Sequence, residues 1–232
     1  MKNVLITGAS KGIGKAIAVA AAQKGYNVAI CARGEEALTQ LAFELMAISE
    51  DIIVAAHAGD MSKEADCVAF VEFAKSNFGH IDIVVNNAGV FLPNALINPD
   101  DNAAFRQMMD TNLYSTHYIT QNALKYMPHQ PTSHIFNICS IASIMPYSGY
   151  SVSKFAMLGY SKVLREELKA RNIRVTALLP GATLTDSWTG TNLPKERFMT
   201  AEDVAAALWA CYDLSAHTVV EELLLRPLLG DI

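Results

Sequence analysis

Asn3-Val-Leu-Ile-Thr7-Gly8-Ala9-Ser10-Lys11-Gly12-Ile13-Gly14, continuing into residues 15–24, decides the fold. A short apolar run of β type leads into a turn built on three glycines, and the apolar spacing after it has the period of a helix. Glycine lets the backbone turn tightly and lets a ligand come close to it. The N–H groups left open at a helix start and the positive end of its dipole together suit a pyrophosphate. A glycine-rich turn can also be a plain turn; one that follows the first strand and opens a helix points to nucleotide binding.

Gly25 closes that helix, and residues 27–32 supply a second strand. The end of this strand is where dinucleotide folds read the adenosine ribose. A carboxylate there would accept the 2′-hydroxyl of NAD(H). Ala32 and Arg33 offer none, and the guanidinium suits a 2′-phosphate, so NADP(H) is the expected cofactor and NAD(H) the second choice. Lys11 is either a second cation for that phosphate or a solvated side chain.

Further along, helices are expected over 35–48, 63–78, 102–126, from Tyr150 to about Ala170, and over 201–214. Strands are expected over 51–56, 81–85, 134–139, 173–179 and 218–225. This alternation calls for an α/β, doubly wound, mainly parallel sheet with helices on both faces and ligands at the carboxyl ends of the strands. Asp60-Met61, Asn86-Asn87-Ala88-Gly89, Ser140 and Pro180-Gly181 all follow such ends. For Asp60 the alternative is an Asx turn or helix start, and for Asn86 to Gly89 a structural turn. Asn112 stands mid-helix, where Asn is a poor helix former, so it faces water or has a buried task. Residues 182–200, rich in Thr, Gly and Pro, read as a loop able to cover a site. No linker, repeat or low-complexity tract divides residues 1–232, which are expected to form one domain.

The chain has 232 residues, half of them apolar, and a net charge of −5 with no Lys/Arg cluster. That argues against a nucleic-acid or acidic-membrane partner and toward a small molecule. Cys31, Cys67, Cys139 and Cys211 lie far apart without a CxxC, so neither a disulfide framework nor a zinc site is indicated, and a reducing cytoplasm is expected. A strand-turn-helix pattern from Lys2 onward leaves no room for a signal peptide. Residues 131–153 lack Asp, Glu, Lys and Arg, but their prolines and serines make a poor bilayer span. None of the six histidines has a metal-ligand spacing, no GxSxG is present, and no metal is expected.

Tyr150 and Lys154 stand at i and i+4, on one helix face. A cation within reach of a phenol favours the phenolate, which makes the pair able to exchange a proton with an alcohol or carbonyl; an ordinary surface pair is the alternative. Tyr147 has Ser151 at its i+4 position and lacks this feature.

Taken together and in order, Thr7-Gly8-x-x-x-Gly12-x-Gly14, Asn86-Asn87-Ala88-Gly89, Asn112, Ser140, Tyr150-x-x-x-Lys154 and Pro180-Gly181 resemble the short-chain dehydrogenase/reductase family over nearly the whole chain. The resemblance implies a Rossmann sheet of seven mainly parallel strands and NAD(P)-dependent interconversion of a carbonyl and an alcohol. Tyr150 would be the general acid/base. Lys154 would hold the nicotinamide ribose and favour the phenolate, Ser140 would polarise the substrate oxygen, and the backbone of Asn112 would hold a relay water. Cofactor contacts would come from Gly8, Ser10, Lys11, Gly12, Ile13, Gly14, Arg33, Asp60, Met61, Asn87, Ala88, Gly89, Pro180, Gly181, Thr183 and Thr185, besides Tyr150 and Lys154. A homodimer or homotetramer through the helices around Asn112 and Tyr150 is implied as well.

In one place the sequence departs from that pattern. The family's Ser stands roughly thirteen residues before the Tyr, but Ser140 is ten before Tyr150. Counting back the full distance reaches Asn137, inside the expected strand, so Ser140 at the strand end is the candidate and Ser143 the alternative. The leading reading is an NADP(H)-dependent oxidoreductase; the competing ones are a silent NADP-binding sensor and an assembly scaffold.

Overall fold

In the computed structural model, which describes residues 1–188 and 190–232, the opening strand β1 (Asn3–Thr7) is buried throughout. It is buried because it is flanked in the sheet by β2 (Asn27–Ala32) and β4 (Ile83–Asn86) and covered by helices on both faces. The other strands are β3 (Val54–Ala58), β5 (His134–Ile138), β6 (Arg174–Pro180) and β7 (Glu222–Leu225). All pair in parallel in the order β3-β2-β1-β4-β5-β6-β7, the Rossmann arrangement. The chain runs outward from β1 in one direction, then returns to start β4 on its other side. That reversal opens a crevice at the carboxyl ends of β1 and β4.

Helices α1 (Gly12–Gln23), α2 (Glu35–Ile48) and α7 (Ala201–Tyr212) cover one face, where Ile17, Ala21, Leu38, Leu41, Leu208 and Trp209 pack on β1 and β2. On the other face α3 (Glu64–Phe78), α5 (Ser115–Ala123) and α6 (Gly149–Leu168) bury Phe70, Val71, Ile119, Ala123, Leu164 and Leu168. Each of the larger aliphatic and phenyl side chains contributes roughly 1.5–3 kcal/mol on leaving water. Among the described residues, no helix is long and apolar enough to cross a membrane, and no group of three His, Cys, Asp or Glu could hold a metal.

Three elements differ from the sequence reading by three residues or more. The third strand begins at Val54 because Ile52 turns into the core and the Ile53 N–H is taken by the Asn27 side chain at 2.8 Å. The last strand is only four residues long, at the open edge of the sheet. The expected long helix over 102–126 comprises α4 (Asn102–Met109), a wide π turn (Asp110–Tyr114) and α5. Met108, Asn112, Thr116 and Thr120 are all fully buried and recur every fourth residue. In a straight α-helix this spacing drifts about 40° per step, and a π turn takes up such drift.

His134 is packed in the core against Phe136 and within reach of Thr176 Oγ1 at 2.7 Å. Thr176 donates its own proton to the Val220 carbonyl, so His134 Nε2 is the donor, which leaves Nδ1 without a partner. Burial, with Arg174 and Arg165 nearby, holds the imidazole well below its ordinary range. The folded ring therefore stays neutral while the unfolded one takes a proton below about pH 6.5. Stability should fall as pH drops from 6.5, by up to about 1.4 kcal/mol per unit. Thermal unfolding of wild type and His134→Phe between pH 7.5 and 5.5 checks this. The wild-type melting temperature should drop more, and equal slopes would remove His134 as the cause.

Candidate functional site

The two central strands are tied together where they end. Thr7 Oγ1 accepts from the N–H groups of Asn87 and Ala88, both at 3.0 Å, and the Asn87 amide donates to the Thr7 and Gly8 carbonyls. Gly14, in the first turn of α1, lies against this latch: a Cβ there would sit 2.4 Å from the Gly8 carbonyl oxygen and from Asn87 Nδ2. Gly12 has φ +56, and a side chain on it would press on Thr185. The residue before α1, Lys11, makes no side-chain cap, and the first turn holds no acid. An open helix start beside a bare glycine backbone is a cradle that fits a pyrophosphate.

Asn86 has a different task from its neighbours. Its amide donates to Thr120 Oγ1 and Asn137 Oδ1, and Asn137 donates on to Ser161, a buried chain that joins β4, β5, α5 and α6. Asn112 is likewise fully buried, so its task is not with solvent. Its Oδ1 accepts from Val90 N–H at 2.8 Å, and its Nδ2 donates to the Val90 carbonyl and to Ser153 Oγ, which donates to the Tyr150 carbonyl. The π turn thus presents an amide that fastens the segment after β4 to α6.

At the other end of the crevice lies a cleft of about 470 Å³. Of the residues expected from sequence it brings together Ile13, Asn87, Gly89, Ser140, Tyr150, Lys154, Pro180, Gly181, Thr183 and Thr185. Gly8, Ser10, Lys11, Gly12, Gly14, Arg33, Asp60, Ala88 and Asn112 lie outside its lining, most of them along the crevice toward β2 and β3. Met61 is buried against Cys67, whose thiol reaches the Met61 carbonyl. Arg33 is exposed after β2. Burial raises Asp60, but two hydrogen bonds from Ser62, with Lys63 and Arg33 nearby, hold it below the usual carboxylate range. Lys11 pairs with Asp186 of the loop at 2.6 Å.

Ser140 caps the short 3-10 turn (Ile141–Ser143) by accepting from Ala142 N–H at 3.1 Å. Its hydroxyl proton has no acceptor among the described residues, which leaves it free to point at a ligand. Ser143 is fully buried and does not line the cleft. The short passage from Ser140 to α6 is closed by two more serines. Ser148 accepts from Tyr150 N–H, and Ser151 accepts from Tyr147 N–H. Tyr150 meets Phe91 edge-on at 5.3 Å. Lys154 is almost fully buried and its Nζ donates to the Ile138 carbonyl at 2.9 Å, 5.8 Å from the centre of the Tyr150 ring. Burial pushes the Cys139 thiol up to about 11 although Lys154, Ser161 and Ser143 work the other way, so it is no nucleophile at neutral pH.

Several lining residues carried no motif. Phe91, Tyr147 and Trp188 wall the cleft, and Asp231 and Ile232 reach it from the far end of the chain. A lone aromatic or acid has no spacing that marks it, and only the fold brings these together.

The model of the short chain dehydrogenase family matches residues 2–196. Sepiapterin reductase of Chlorobaculum tepidum is 34% identical over 244 residues that span 100% of this chain and 99% of that protein. An alcohol dehydrogenase from the archaeon Thermococcus sibiricus, solved with 5-hydroxy-NADP, superposes with a TM-score of 0.88 at 29% identity, over 100% of this chain and 99% of that one. A short chain dehydrogenase from Burkholderia cenocepacia in complex with NADP gives 0.86 at 26%, over 97% and 96%. With the family's model matched over most of its length and relatives aligned along all of it, this chain belongs to the short-chain dehydrogenase/reductase family of oxidoreductases.

Proposed function

We propose that the protein is an NADP(H)-dependent oxidoreductase that interconverts a carbonyl compound and its alcohol, with Tyr150 as the proton donor and acceptor. The observation that carries this reading is the meeting of Ser140, Tyr150 and Lys154 with Pro180, Gly181 and Thr183 in one cleft beside the glycine cradle. Bound nicotinamide supplies or accepts the hydride. Ser140 directs its free hydroxyl proton at the substrate oxygen, and Tyr150 delivers or takes the proton there. Lys154, anchored on the Ile138 carbonyl, places its charge 5.8 Å from the centre of the tyrosine ring. The Asn112 side chain fixes the segment around Val90 and the start of α6 against each other. Pyrophosphate would rest on the open start of α1, with Gly89 beside Asn112 and Lys154 along the path to the nicotinamide end.

The test is NADPH oxidation, followed by absorbance, against a panel of ketones and aldehydes. Sepiapterin, the compound in a relative's name, belongs in the panel as a ketone. Absence of turnover on the whole panel, with NADPH bound, would instead favour a silent sensor.

Lys11 is already paired with Asp186, so Arg33 is the side chain free to meet a 2′-phosphate. Arg33→Asp should lower kcat/KM for NADPH by roughly 10- to 100-fold, the loss of a charge-assisted contact, and improve the ratio for NADH. An unchanged ratio would move the phosphate elsewhere. The outer surfaces of the π turn and α6 leave Tyr114, Val152, Phe155 and Val163 exposed, which suits pairing with a second copy as a dimer or tetramer.

A further inference from the structure

The cleft holds two charged side chains among its described lining, Lys154 and Asp231. Lys154 lies buried beneath Tyr150 on the Ile138 carbonyl, so Asp231 is the more exposed of the two charges. Asp231 is held in place by the chain around it. Its carbonyl accepts from Arg197 at 3.2 Å, Gly230 N–H closes on the Pro227 carbonyl, and Pro227 packs on Gly181 at the cleft wall. The carboxylate itself is under-supplied with donors. Oδ1 is buried with no partner, and Oδ2 has one long contact, 3.5 Å, to a half-exposed Arg226. The side chain is 26% exposed while Oδ1 is closed off, so Oδ2 is the oxygen at which a ligand N–H can add the donor that the carboxylate lacks. The rest of the wall is apolar or aromatic, with Phe91, Ile141, Tyr147, Trp188 and Ile232.

On the reading of the cleft given above, we propose that Asp231 is a specificity-determining residue. It selects carbonyl substrates that carry an amine, amidine or other N–H donor on an apolar or aromatic body, and it disfavours substrates that carry a carboxylate or phosphate. No bond is made at Asp231. The carboxylate accepts the donor's hydrogen bond and orients the substrate while Tyr150 and the cofactor act on the carbonyl.

The experiment compares matched aryl ketones that bear an amino substituent, a carboxylate or neither, as kcat/KM ratios with NADPH, in wild type, Asp231→Asn and Asp231→Ala. Circular dichroism checks that each variant is folded. In wild type the amino ketone should exceed its unsubstituted partner at least about tenfold, mostly through KM, and the carboxylate ketone should be poorest. In both variants the amino-to-unsubstituted ratio should collapse toward one, and the carboxylate ketone should gain relative to the others. A wild-type enzyme that turns over ketones with no such preference, or a ratio that survives both substitutions, overturns the assignment and leaves the proposed reaction standing. A wild type that binds NADPH and reduces none of them removes both.

Discussion

Tyr150→Phe should lower kcat with any accepted carbonyl substrate by roughly 10²- to 10⁴-fold, the worth of a positioned general acid. The substitution removes one oxygen and keeps the ring, so the edge-on contact with Phe91 and the packing over Lys154 persist. NADPH should still bind, as read by its fluorescence, because the cradle at Gly8 to Gly14 is untouched. The combination matters: lost turnover with retained binding assigns the proton to Tyr150, whereas near-normal turnover would transfer the role to another group. Ser140→Ala, which removes the free hydroxyl proton on the same cleft wall, should give a loss in the same direction.

The second large effect is expected at Asn112. Asn112→Ala deprives the Val90 N–H and carbonyl of their partner and removes a donor from Ser153. Two backbone groups left unpaired would cost about 1–3 kcal/mol each if fully buried; these are part-buried at the cleft wall, so the fold should lose roughly 2–4 kcal/mol. For a chain of this size each kcal/mol moves the melting temperature by roughly 2–4 °C. Calorimetry should therefore show a drop of several degrees, and a change within one degree would mean that the segment around Val90 is held by other contacts.

The parts of the fold that were legible in the sequence are those where local pattern and burial agree. The strands β1 and β2 are continuous apolar runs beside glycine turns, and they lie where such runs must, in the middle of a covered sheet. The edges were less legible. At β3 the backbone N–H of Ile53 is claimed by Asn27, a side chain one strand away, so the apolar residues alone placed the strand too early. The π turn at Asp110–Tyr114 was hidden because Asn112 reads only as a poor helix former; its partners Val90 and Ser153 are distant in sequence. Within the site, Tyr150 and Lys154 were legible because helical spacing brings them together, and Ser140 because it ends a strand. Asp231 was not, because its place against Gly181 depends on how the last residues wrap over β6.

The strand order also gives the chain a direction in which to assemble. Residues 3–58 hold β1, β2 and β3 with their two crossing helices, and they can pair without anything that follows. The other edge of β1 waits for β4, synthesised some 25 residues later, and until then it presents a row of unpaired N–H and carbonyl groups. The latch from Thr7 to Asn87 closes only at that moment. A fragment that stops before β4 should therefore be sticky rather than merely unstable, and extending it through residue 90 only moves the open edge from β1 to β4, which waits for β5; a fragment ending before β4 that stays in solution, measured by sedimentation, would argue that an exposed edge does not cause aggregation.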